Sequence, residues 1–185
     1  MNSDQKQPVI ETERLVLRPF TLDDAADVQR LAGDPDIADT TLVIPHPYPD
    51  GAAESWINTH QERWDNGLGI VCAITLRSSG ELIGAISVLS ISKQHGHGEL
   101  GYWVGKPYWN NGYCTEAARG LIRFCFETLG LHRVHAYHFA RNPASGRVMA
   151  KAGMRYEGTM RQHLRKGDAY EDLPSYGILA GELQE

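Results

Sequence analysis

The chain has 185 residues, 42% hydrophobic and 22% charged, with a formal net charge of −5. That size and composition suit one globular domain and exclude an intrinsically disordered chain. The negative balance speaks against a surface built to coat DNA, and no run of about 18 apolar residues is there to span a membrane.

Taken in chain order, residues 1–12 are polar and read as a flexible tail without the apolar stretch of a secretory signal. The single domain spans 1–185, with its core at about 13–182. Arg14–Phe20 alternates as a short strand that stops at Pro19. Thr21 then caps a helix, with Asp24 three residues on and Leu22, Ala25, Ala26 and Val28 starting its apolar face. "IPHPYPDG", with three prolines and a glycine, is a rigid loop. The stretch Ala52–Trp64 is helical, with Trp56, Ile57, His60 and Trp64 near one face. "IVCAITL", "LIGAISVLSIS" and "ELGYWVG" are three antiparallel strands joined by turns. From about Thr115 a helix buries Ala118, Leu121, Ile122, Cys125 and Leu129, and Gly130 caps it. "HRVHAYHF" is a strand. Asn142, Pro143 and Gly153 bracket another helix as N-cap, first residue and terminator. The chain ends in a hairpin turning near Lys166–Asp168. The result is a mixed α/β domain.

The 3 cysteines, Cys72, Cys114 and Cys125, form no CxxC pair, and an odd count suits no disulfide framework. Reduced thiols in a cytoplasmic protein are the expectation.

The informative stretch is "LGYWVGKPYWNNGYCTEAARG", a strand that passes through a short glycine turn into a helix. The first N–H groups of a helix have no backbone partner, the macrodipole adds positive character, and Gly112 lets the backbone approach an anion closely. The run lacks the GxxxxGK[ST] of a P-loop. It also lacks GxGxxG after a first strand with an acidic residue roughly twenty positions on. With no lysine and no metal-binding carboxylate in the turn, its expected ligand has phosphates that are held and not transferred. A pyrophosphate carrying an amide arm, coenzyme A, fits, with the arm laid along the neighbouring strand as an added strand.

The sequence resembles the GNAT superfamily of acyl-CoA-dependent N-acyltransferases, in its RimJ/RimL-type branch. The resemblance runs from about Glu11 to Leu179. It is carried by "ETERLVLRPFTLDDA", "IPHPYPDGAAESWI", "ELIGAISV", "GELGYWVGKPYWNNGYCTEA", "LGLHRVHAYHFARNPASGRVMAKAGM" and "YEGTMRQHLRKGDAYED". It implies an α/β (α+β) fold: a mixed, mostly antiparallel seven-stranded sheet with four or so helices, splayed between strands 4 and 5. It also implies an acetyl-CoA-dependent N-acetyltransferase that acts by direct attack in a ternary complex. The acceptor is an amine, either a protein N-terminus or a small molecule. The co-substrate is acetyl-CoA and no metal is needed. A homodimer is an option.

The family's pyrophosphate motif falls on Trp109-Asn110-Asn111-Gly112-Tyr113-Cys114, with Cys114 in the slot for a small residue. The resemblance implies that N–H groups from Asn110, Asn111, Gly112, Tyr113, Cys114 and Thr115 hold the pyrophosphate. It implies that Tyr102, Trp103 and Val104 line the arm, that Asn142 touches it, and that Ser145 reaches the sulfur. Arg147 lies near the nucleotide phosphates. Glu99 is the expected base, beside apolar Trp103, and a backbone N–H near Trp103 or Val104 meets the oxyanion.

Other readings stand beside these. Glu99 can equally be a solvated charge, with His97 as an alternative base. His95, His97 and Glu99 alternate as a strand-borne metal set would. His132, His135 and His138 are read as surface or satisfied core residues. A catalytically silent acyl-CoA-binding domain on the same fold is the alternative function. An RNA-binding reading rests on Arg155, Arg161, Arg165 and Lys166.

Overall fold

A computed structural model describes residues 6–183. Their order is β1 (Ile10–Glu11), β2 (Leu15–Arg18), α1 (Ala25–Ala32), α2 (Pro35–Thr40), α3 (Ala52–Ile57), α4 (His60–Asp65), β3 (Ile70–Leu76), β4 (Leu82–Ser92), β5 (His97–Val104), α5 (Tyr113–Glu127), β6 (Arg133–Tyr137), α6 (Pro143–Lys151), β7 (Arg155–Lys166) and β8 (Ala169–Leu179). The eight strands form one sheet in the order β1-β2-β3-β4-β5-β6-β8-β7. Every neighbouring pair is antiparallel except β5 and β6, which run parallel.

The strand beyond the expected seven is β1, inside the segment read as a flexible tail. Ile10 and Glu11 pair with Leu17 and Val16. Gln7 is buried, and its side-chain amide donates to the Val71 carbonyl at 2.7 Å. The polar composition of this segment hid several long-range hydrogen bonds, of Gln7, Glu11 and Thr12, and the packing of Ile10 on the main core. Residues 1–5 of that tail lie outside the described residues.

Helices number six among the described residues rather than about four. The helix expected over Ala52–Trp64 breaks at Asn58–Thr59, where the Thr59 hydroxyl donates back to the Trp56 carbonyl at 2.8 Å. The unexpected α2 starts on a well-formed cap: Asp34 Oδ1 accepts from Asp36 N at 2.9 Å and Pro35 follows it.

The sheet separates two apolar layers. On one face α5 and α6 cover Leu15, Leu17, Ile74, Ile83, Ile86 and Leu100. The expected α5 stripe is there, with Ala118, Leu121, Ile122 and Cys125 fully buried and Leu129 partly so. On the other face α1 and α3 pack on Ala73 and Leu82, with Phe20, Trp56 and Trp103 at the rim.

The parallel pairing of β5 with β6 lasts three residues, His97↔Arg133 to Glu99↔His135. Beyond it the strands diverge, which is the expected splay. The first two strands brace the turn that follows β5. The Glu116 carboxylate, in the first turn of α5, accepts from Thr12 Oγ1, Arg14 N and Arg14 Nε, each at 2.7 Å. Burial opposes this charge, but the bonds from Thr12 and Arg14 outweigh it and hold the carboxyl below its usual range. Arg14 Nη1 also donates to the Asn111 carbonyl at 3.0 Å, and its guanidinium lies 4.8 Å from the Tyr113 ring centre.

Two predictions concern this frame. Glu116→Ala leaves three donors unpaired and should lower stability by about 1–3 kcal/mol. Amide exchange at 110–115 should accelerate while the β3–β4 ladder stays protected; unchanged exchange in the turn would sink the bracing role. The second prediction concerns His60, buried against Phe20 and Trp56 with neither ring nitrogen hydrogen-bonded. Burial, then Arg63, pushes it from 6.5 down to about 4. The unfolded chain therefore binds a proton that the folded chain refuses. This contribution is complete above pH 6.5 and is lost as pH falls toward 4. The loss is about 2 kcal/mol at pH 5. His60→Phe should remove it, raising Tm at pH 5 by roughly 4–8 °C relative to its effect at pH 7.5. An identical shift at both pH values would refute this.

Candidate active site

The strand register decides which backbone groups face the splay. Gly105 N–H donates to the Ile83 carbonyl at 2.8 Å. Odd-numbered residues of this part of β5 therefore bond to β4, and the N–H and C=O groups of even-numbered Tyr102 and Val104 point into the cleft. The Val104 carbonyl already accepts from the Trp109 indole at 2.6 Å. That leaves the Val104 N–H and both Tyr102 backbone groups facing the cleft. Trp103, expected among the arm-binding residues and as one option for the oxyanion donor, has its backbone turned to β4. Its indole joins the second core and walls the cavity.

The turn after β5 is tightly held. Lys106–Tyr108 form one 3-10 turn, and Asn111 Nδ2 then donates to the Tyr108 and Trp109 carbonyls at 3.2 and 3.0 Å. Asn110 and Gly112 both adopt left-handed conformations, φ 64° and 77°. Asn tolerates this region and glycine enters it without strain. Gly112 is the N-cap of α5 and has no side chain to satisfy the N–H groups behind it. The α5 N-terminus is thus a concave set of donors. Tyr113 packs on the core, as does Cys114. Apolar surroundings push the Cys114 thiol up to about 12. It stays a neutral, compact filler, so the small-residue slot keeps its backbone path. Thr115 and Gly112 both line a second surface pocket, between α5 and the first strands.

The splay opens into a cavity of about 500 Å³. Glu99 and Ser145 both line it, from β5 and α6 respectively. Ser145 is held by Tyr102, whose phenol lies 3.0 Å from both the Ser145 carbonyl and Oγ. Burial first, then Cys114, pushes the phenol's pKa upward, so it stays neutral. When the phenol donates to the carbonyl it accepts from Oγ; turned the other way, it donates to Oγ and frees the serine proton for the cleft.

Glu99 is not isolated. Its Oε2 lies 3.9 Å from His135 Nε2, and its charge is felt by the Tyr137 phenol. Burial first, then Glu99, pushes Tyr137 up to about 12. Burial, the largest influence on His135, lowers its pKa although Glu99 opposes this. The His97 ring meets His135 at 5.5 Å and His95 at 6.1 Å between centroids, and His97 Nδ1 is buried without a hydrogen bond. Among the described residues no group of three His, Cys, Asp or Glu is arranged to hold a metal. The sequence reading placed His135 with surface or core histidines. Its neighbourhood to Glu99 comes from the parallel register, which no local pattern encodes. His138 does behave as a satisfied core residue, with Nδ1 2.8 Å from the Phe139 carbonyl.

Two expectations change in detail. Asn142 stands at the N-cap of α6, but its side chain makes no capping bond; its backbone N–H donates to the Phe139 carbonyl at 2.7 Å and its carbonyl accepts from Ser145 N at 3.2 Å. Arg147 is exposed and outside the cavity lining. The basic residues of the RNA reading are largely engaged: Arg155 with Glu182 at 2.9 Å, Arg165 with Asp168 at 3.2 Å, and Lys166 on the Thr41 carbonyl at 2.7 Å. No described helix is long and apolar enough to cross a membrane.

Comparison with known proteins agrees with this architecture. The uncharacterized N-acetyltransferase YoaA of Bacillus subtilis is 30% identical over 172 residues, 93% of this chain and 97% of that protein. The ribosomal-protein-serine acetyltransferase of Escherichia coli is 31% identical over 96 residues, 52% of this chain and 54% of its own. The fold is shared with Mycobacterium smegmatis RimJ, solved in complex with CoA-disulfide, at a TM-score of 0.87 and 24% identity over 96% of this chain and 90% of RimJ. The family model described as "Acetyltransferase (GNAT) domain" matches residues 14–155, and the chain belongs to that family of acetyltransferases, in its RimJ/RimL-like branch.

Proposed function

We propose that this acetyltransferase moves the acetyl group of acetyl-CoA directly to an acceptor amine, with both substrates bound together in the splay between β5 and β6. The observation that carries the proposal is the unpaired edge of β5, which leads into the donor-rich turn at Asn110–Thr115. The arm of the co-substrate pairs with the Tyr102 backbone and the Val104 N–H, and the pyrophosphate lies on the N–H groups of the turn. Asn142, with its amide unused for capping, contacts the arm. Arg147 meets the nucleotide phosphates from the outside of α6.

The acceptor arrives as an ammonium, and only the neutral amine is nucleophilic. Glu99 takes its proton, directly or through one water. The amine nitrogen then bonds to the thioester carbonyl carbon, and the oxyanion meets a backbone N–H of β5 that the arm leaves free. On collapse the C–S bond breaks. The second proton leaving nitrogen goes to the thiolate, with the Ser145 hydroxyl, held by Tyr102, facing the sulfur. The products are the amide, CoA thiol and one proton on Glu99, which His135 and His97 connect toward the surface.

Two variants test this. Gly112→Asp puts a carboxylate against the pyrophosphate and should abolish acetyl-CoA binding in calorimetry; wild-type affinity would remove the turn from the site. Glu99→Gln should lower kcat at neutral pH by roughly 10²–10⁴ and leave acetyl-CoA affinity intact. A rate and pH profile matching wild type would reject Glu99 as base.

A further inference from the structure

The charges of the acceptor cavity are uneven in a way that selects its substrate. Glu99 is the one acidic side chain among the lining residues, and no lysine or arginine joins it. The rest of the wall is mainly apolar and aromatic, with Ile44, Tyr48, Trp56 and Trp103 drawn from the loop after α2, from α3 and from β5, and is broken by polar Thr40, Thr41, Ser87, Tyr137 and His138. The two cations that border this cleft are committed to the protein's own chain. Lys166, from the β7–β8 hairpin, donates to the Thr41 and Leu42 carbonyls at 2.7 and 3.3 Å. Arg141 donates to the Asp39 carbonyl at 2.6 Å and to Glu171 at 2.8 Å. These bonds pin the loop over the cavity as a roof.

Resting on the acetyl-transfer reading above, we infer that the acceptor is a primary monoamine carried on an apolar body of about aromatic size. A single carboxylate matches a single ammonium. A polyamine brings a second ammonium that finds no second carboxylate among the lining residues, and a free amino acid brings a carboxylate with no lysine or arginine there to meet it. A polypeptide N-terminus brings several amide groups, most of which would face apolar walls without a partner. An arylalkyl or alkyl monoamine has none of these liabilities. Its body covers Trp56 and Ile44 while its nitrogen reaches Glu99. The acetyl transfer is unchanged: the N–C bond forms, the C–S bond breaks, and the two protons go to Glu99 and the thiolate.

The test measures CoA release with acetyl-CoA and four acceptors: 2-phenylethylamine, spermidine, phenylalanine and a hexapeptide with a free N-terminus. The expected result is a kcat/KM for 2-phenylethylamine at least about tenfold above each of the others. A preference for spermidine, phenylalanine or the peptide overturns the inference and leaves acetyl transfer standing. CoA release with none of the four overturns both. A second measurement uses Ile44→Asp, a half-buried loop position. The added carboxylate should lower kcat/KM for 2-phenylethylamine about tenfold and raise that for 1,4-diaminobutane, with Tm near wild type. An unaltered ratio of the two amines in that folded variant also overturns it.

Discussion

The parallel pairing of β5 with β6 stops after Glu99 and His135, and the cleft exists because it stops there. A sheet that continued to pair would use the cleft-facing groups of Tyr102 and Val104 in its own ladder. Because it does not, the protein carries an internal edge, the kind of row of unpaired donors and acceptors that sheets ordinarily protect. Here the protection comes from the flanks. The Trp109 indole occupies the Val104 carbonyl, and α6 brings Ser145 against Tyr102. The same break sets the two halves of the site. Even-numbered residues of β5 look toward α5 and α6, where Leu100, Tyr102 and Val104 pack. The opposite parity, Glu99 and Trp103, faces the acceptor cavity.

Charge is distributed to match this division. Around the turn, the Arg14–Glu116 pair is joined by Thr12 and by the Asn111 carbonyl. It is a network rather than an isolated surface pair, which would contribute little. In the acceptor half, one carboxylate sits near the Tyr137 phenol and the His135 imidazole, whose charged forms burial disfavours.

What the sequence made legible was local. The strand–turn–helix at Leu100–Gly120, the apolar stripe of α5, the Pro143 start of α6 and the final hairpin all follow from residue periodicity and turn chemistry within a few positions. What it hid was set by distant partners. Gln7 is buried by a bond to Val71, and Ile10 becomes a strand by lying against Leu17. His135 meets Glu99 only through a parallel register, and Trp109 caps Val104 by folding back across a turn. The missed helix α2 is different, since Asp34 and Pro35 signalled it; a six-residue helix has too little periodicity to stand out from the loop around it. The break between α3 and α4 turns on one Thr59 hydroxyl that competes for a carbonyl.

The brace on the phosphate-facing turn has a consequence for how the protein reaches its working state. Glu116 and Arg14 are separated by 102 positions in the chain. Bringing them together closes a loop containing α1 to α4 and β3 to β5. Contacts of such high sequence separation form late, after the entropy of the intervening loop has been overcome. The turn therefore acquires its fixed shape when the first strands dock on the sheet, so in refolding that shape reports the closure of this long loop rather than the appearance of secondary structure.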